Sequence, residues 1–132
     1  MMSVNYVWYD DARTMIWMRF VGAWTLDEHL NTHKMMIKAV RAQQHTVDVI
    51  LDLSQQTQAP RQLFEIRHYT EATCPDNWGY VVVVQPDRFI KTMLRVLKPM
   101  MPKTLRHVYE VDTLVAASTF LSRQTDSLCR GA

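Results

Sequence analysis

Two short runs constrain this chain more than anything else in it. Residues 47–53, VDVILDL, and 79–84, GYVVVV, are apolar and β-branched almost throughout. Neither shows the alternation of a strand with one wet face. Strands of this kind are covered on both sides, and the cover is supplied by crossover helices. Both runs therefore read as central strands of a parallel sheet.

The segments around them fit that reading. Residues 4–9 and 14–21 are rich in β-branched and aromatic side chains and flank Asp10-Asp11, which predicts an opening hairpin covered on both faces. Thr25-Leu26-Asp27-Glu28 forms a capping box, and Leu26, Leu30, His33, Ile37 and Val40 recur at helical spacing, so a helix is expected over 26–43. After strand 47–53 a polar loop leads from Ser54 into a second helix near 61–72, which Cys74-Pro75-Asp76-Asn77 breaks. A third helix starts at Pro86-Asp87, with Asp87 as its cap, and ends at Pro99 and Pro102. A strand over 105–111 precedes Asp112, which caps a last helix through about Leu121; residues 122–132 read as a polar, frayed tail. The order β-β-α-β-α-β-α-β-α predicts one α/β domain over 1–132, a mostly parallel sheet with an N-terminal antiparallel hairpin.

Composition removes several functions. Fifteen basic and thirteen acidic residues in 132 leave a net charge of +2, too little for a nucleic-acid binder. Only Gly22, Gly79 and Gly131 are glycine, so the phosphate-cradling loops of P-loop and dinucleotide-binding proteins are absent. No apolar run is long enough for a membrane span, and the N-terminus MMSVNYVWYDD lacks the features of a signal peptide, so a cytoplasmic protein is expected. Cys74 and Cys129 stand far apart, outside any metal or redox spacing, and are expected as reduced thiols. No cofactor and no metal are expected.

Three groups of residues are candidates for function. Asp52, Ser54 and Thr57 lie at the carboxyl end of the first buried run, where ligands gather in open α/β sheets. Ser54 and Thr57 suit a phosphoacceptor, and equally suit turn chemistry with nearby amides; Asp52 suits a ligand contact or a cap for free N–H groups. Arg88, Lys91, Arg95 and Lys98 recur at spacings of three and four with no carboxylate between them, a basic stripe for an acidic partner or anionic ligand, or a solvated face. His29 and His33 face the same way four residues apart, but no third metal ligand is near, and His33 falls on the apolar stripe as a packed histidine would. Met35-Met36 and Met100-Met101 can line an adaptable apolar groove or fill the core. Phe89, Val96 and Met100 exceed what one helix face buries, which points to self-association or an apolar pocket. No acid–base or nucleophile constellation stands out, so an enzyme is not expected.

Several phrases, VGAWTLDEHL, VDVILDLS, YVVVV and VDTLVAASTFL, in this order over residues 4–121, resemble the STAS and SpoIIAA-like family of bacterial regulatory domains. The resemblance implies the same fold and a non-enzymatic protein-binding role, with a protein partner or a second copy of the chain in a homodimer. Some members bind lipids or nucleotides. The family's anti-sigma factor antagonists are switched by a phosphoserine at the entrance of the second helix. Here that entrance reads Ala59-Pro60-Arg61-Gln62, and Ser54 and Thr57 are the nearest hydroxyls. The alternative expectation is a carrier of a lipid or other apolar or anionic small ligand, with an apolar cavity lined by Met and Trp.

Overall fold

In the computed structural model the backbone of residues 3–131 and the side chains of residues 3–124 are described. The elements run β1 (Val4–Trp8), β2 (Met15–Ala23), α1 (Leu26–Arg41), β3 (Val47–Gln58), a 3-10 turn (Arg61–Ile66) continuing into α2 (Arg67–Ala72), β4 (Trp78–Val84), α3 (Arg88–Leu97), a 3-10 turn (Lys98–Met100), β5 (Val108–Val111) and α4 (Leu114–Gly131). The five strands lie side by side in chain order. β1 is antiparallel to β2, with Val4 opposite Phe20 and Trp8 opposite Ile16. The rest pair in parallel, with Trp17 beside Ile50, Ile50 beside Val82 and Val82 beside Tyr109. The expected fold class is the observed one.

Strands that follow one another in order, joined by right-handed crossovers, place α1, α2 and α3 on one face of the sheet. There Ile16, Met18, Val49, Val81 and Val83 pack under Met36, Ile37 and Val40 of α1, Leu63 of the 3-10 turn and Ile90 of α3. α4 follows the last strand and closes the opposite face, setting Ala117 and Leu121 on Met15, Ile50, Val82 and Val84. Among the described residues α4 packs on β3, β4 and β5. The outer half of that face stays open, and Val7 and Val21 are about two-fifths exposed (40% and 39%). Beyond Met15 and Trp17, the hairpin is thus covered on one face among the described residues.

Thr25 closes the expected capping box with Glu28, and Asp87 caps α3 through the Ile90 amide at 2.8 Å. Elsewhere the boundaries move. Residues 54–58 are strand, because β2 runs past Gly22 (φ +66°) to Ala23 and offers backbone partners to Gln55, Gln56 and Gln58. The second helix is 3-10 over its first half, since Pro60 opens it and no side chain caps it. The last strand begins at Val108, not 105. Residues 103 and 104 are held in a turn by the Glu71 carboxylate, which accepts from Lys103 N (2.8 Å), Thr104 N (3.0 Å) and Thr104 Oγ1 (2.9 Å). Thr113, not Asp112, caps α4, accepting from the Ala116 amide at 3.0 Å. The expected frayed tail is helix to Gly131, because polar residues without Pro or Gly do not stop a helix. No described helix is long and apolar enough to cross a membrane.

Candidate functional site

A cavity of about 110 Å³ lies between the sheet and α1–α3. Met18, Phe20, Leu51 and Val83 form its floor, and Met36, Leu63, Ile90, Met93 and Leu97 come from the helical side, with Trp24, Trp78 and Met101 around them. Protein interiors pack like organic crystals, with few spaces larger than a water molecule. The connection between β3 and β4 covers the sheet there with a 3-10 turn and a six-residue helix, a less regular layer than the sixteen-residue α1 and ten-residue α3 beside it.

Besides Thr104, whose hydroxyl donates to Glu71, three polar side chains line this wall: His29 and His33 from α1 and Thr70 from α2. They are 7%, 4% and 5% exposed. His29 Nδ1, His33 Nε2 and Thr70 Oγ1 have no hydrogen-bond partner among the described residues, and the only other buried atom in that position is Arg67 Nε. Buried polar groups are normally paired, at a cost of roughly 1–3 kcal/mol when they are not. Burial, reinforced by the nearby His33, lowers the His29 imidazole to about 3, and burial lowers His33 to about 4. Both rings are therefore neutral near pH 7. They continue an aromatic series: Phe20 and Trp24 at 4.6 Å between centroids, Trp24 and His29 at 5.7 Å, His29 and His33 at 5.7 Å.

The expected stripe of Leu26, Leu30, His33, Ile37 and Val40 places His33 inside, as found, but leaves out His29. The buried face of α1 is His29, Thr32, His33, Met36, Ile37 and Val40. A helical projection centred on Met36 and Val40 would have shown that both histidines point inward. Thr70 carried no signal, because its burial depends on how the 61–72 segment folds. Of the paired methionines, Met36 and Met101 line the cavity, while Met35 and Met100 are exposed.

Asp52, Ser54 and Thr57 are not brought into this cavity. The Asp52 carboxylate accepts from Trp17 Nε1 (2.9 Å), Ser54 N (3.0 Å) and Ser54 Oγ (2.6 Å), so within β3 it ties Trp17 to the Ser54 backbone and hydroxyl. Thr57 is exposed. Asp52 borders a hollow on the open half-face with Asn5, Trp17 and Arg19. There the Arg19 guanidinium lies 4.7 Å from the Trp17 ring centre and its Nε donates to Asn5 Oδ1 at 2.9 Å.

Arg88, Lys91 and Arg95 are exposed on α3, as its amphipathic spacing requires, and Lys98 is exposed at the start of the 3-10 turn that follows. Lys91, Arg95 and Lys98 border a shallow hollow with Tyr109 and Glu110 of β5, and Arg88 lies outside it. The opposite side of α3 is cavity wall. Phe89, Val96 and Met100 are 40–46% exposed beside the cations.

Asp48 is a second buried carboxyl that composition alone did not single out. Burial raises it to about 6, with Asp10's charge adding, against the hydrogen bond from Tyr80 N at 2.8 Å. Gly79 is required beside it, since a Cβ there would overlap Asp48 Oδ1 and stand 2.7 Å from Thr46 Cγ2. Cys74 is a half-buried free thiol that burial pushes up, and the Cys129 side chain lies outside the described residues. Among the described residues no group of three or more His, Cys, Asp or Glu is placed to hold a metal.

The chain matches no protein-family model and no curated protein. Its function is argued from the geometry.

Proposed function

We propose that this domain binds a small, mostly apolar molecule between its sheet and helices α1–α3, and performs no chemistry on it. The observation that carries this reading is the cavity of about 110 Å³, with Met18, Met36, Met93, Met101, Trp24 and Trp78 in its wall. Thioethers adapt to irregular shapes, and indoles offer broad apolar faces. An engineered protein cavity of about 150 Å³ admits benzene, so a ligand of roughly six heavy atoms suits this one before the methionines shift. The STAS/SpoIIAA-like resemblance supports the reading through that family's lipid-binding members, and the hairpin-then-parallel sheet agrees with it.

The methionines themselves supply the test. With ε-¹³C-methionine labelling, benzene should shift the methyl signals of Met18, Met36, Met93 and Met101 saturably through its ring current. Met35 and Met100, at 56% and 45% exposed, are internal controls. Benzene that moves none of the four, or moves all methionines alike, sinks the proposal.

A second reading, docking of an acidic partner, has its own support. From Arg88 to Tyr109 the chain carries six cations (Arg88, Lys91, Arg95, Lys98, Lys103 and Arg106) and no carboxylate. The three on α3, and Lys98 just past its end, are exposed beside apolar Phe89 and Val96. Charge of one sign speeds encounter with the opposite sign, and buried apolar residues lengthen the complex. The two readings are compatible, because α3 presents its cations outward and lines the cavity inward.

A further inference from the structure

We propose that the molecule bound in the cavity carries a neutral hydroxyl group, received by His29, His33 and Thr70. This rests on the cavity being a ligand site.

His29 Nδ1, His33 Nε2 and Thr70 Oγ1 are buried without partners among the described residues, and all three residues line the same cavity. A hydroxyl has one donor and two acceptor positions. A neutral imidazole offers a donor at one nitrogen and an acceptor at the other, and a threonine hydroxyl offers both. One hydroxyl therefore has the capacity to satisfy three such atoms, which an apolar ligand leaves untouched.

Charge narrows the class. Both imidazoles stay uncharged at pH 7 because burial disfavours the cation. The lining contains no Asp, Glu, Lys or Arg. A carboxylate or ammonium group entering it would lose its water and meet no opposite charge. A neutral phenol or alcohol loses less and recovers hydrogen bonds.

The ring series adds shape. Phe20, Trp24, His29 and His33 follow one another at centroid separations of 4.6–5.7 Å. Tilted and edge contacts of this kind extend naturally to one more ring. A phenol thus fits the polar group and the apolar wall together.

The binding order of simple probes decides the matter. In a wholly apolar cavity a hydroxyl is desolvated without return, and phenol binds more weakly than benzene. A site built to hydrogen-bond a hydroxyl rejects the analogue that lacks it. Calorimetric titration at pH 7 should find phenol at least about tenfold tighter than benzene, and benzoate weaker than both. Thr70→Val, nearly the same shape, should cut the phenol preference severalfold without changing benzene affinity. His33→Leu should abolish it; Thr70→Val keeps the test sound if His33→Leu disturbs folding.

Two failures separate cleanly. Benzene shifting the cavity methionines while phenol binds no tighter would overturn the hydroxyl inference and leave the cavity reading standing, with water as the partner of the three polar groups. Neither probe reaching those methionines would overturn both. An unchanged preference in Thr70→Val would remove Thr70 from the site.

Discussion

Acid should weaken this fold, and α1 is where the loss arises. The unfolded chain protonates His29 and His33 near their ordinary 6.5, whereas the folded chain holds them at about 3 and about 4. Stability contributed by a base with a lowered pKa is present above 6.5 and falls as pH drops below it. From pH 7 to pH 5 each histidine costs about 2 kcal/mol, or about 4 together. Asp48 works in the opposite sense. Its folded pKa of about 6 lies above the ordinary 3.8, so folding gains as pH falls through 6. That returns about 1 kcal/mol over the same range, for a net loss of between about 2 and 3 kcal/mol. For a domain of this size the urea midpoint would move down by roughly 1 M. Urea titrations at pH 7, 6 and 5, followed by tryptophan fluorescence, measure it directly. The double variant His29→Phe, His33→Leu should reverse the trend, leaving only the gain from Asp48. Equal midpoints at pH 7 and 5 in the native chain would refute the reasoning, as would an undiminished acid loss in the double variant.

Two further predictions test the frame around the site. Asn77 Nδ2 donates to Val40 O (2.7 Å), Gln43 O (3.2 Å) and His45 O (3.0 Å), tying the end of α1 to the start of β4. Asn77→Ala should cost about 2 kcal/mol in urea titrations, and a loss below about 0.5 would show those carbonyls to be satisfied by water. Reversing Arg88, Lys91 and Arg95 to glutamate should abolish binding of a fluorescent polyglutamate peptide at low salt while preserving the urea midpoint, since all three are exposed. Unchanged peptide affinity would take α3 out of the docking account.

How much of this was legible in the sequence depends on where each signal resides. The runs 47–53 and 79–84 announced a parallel sheet because burial on both faces is written into consecutive residues. Thr25 with Glu28 and Asp87 announced two helix starts because a cap is a local hydrogen bond. Residues 54–58 were misread for the opposite reason. Their strand exists because β2 extends far enough to pair with them, a fact held by another segment. α4 outran its expected end because nothing in 122–130 breaks a helix, and polarity alone is not a stop signal.

The position of the cavity was hidden in the same way, and with it the place of Thr70 in its wall. A regular α-helix over 61–72 would turn a different set of side chains toward α1 and α3. The actual connection spends Arg61–Ile66 on a 3-10 turn and leaves six residues for α2. Thr70 is thereby brought into the cavity wall with His29 and His33. If stability alone had shaped this wall, Leu or Phe at 29 and 33 and Val at 70 would bury without orphaned donors or acceptors. Local choices that conflict with a good core are most often found at functional sites. Three such conflicts converge on one cavity, while Thr32, also polar and buried on α1, is satisfied by Val4 O at 3.0 Å. The contrast between Thr32 and its neighbours is the physical reason to look for a ligand beside α1 and not merely for a costly core.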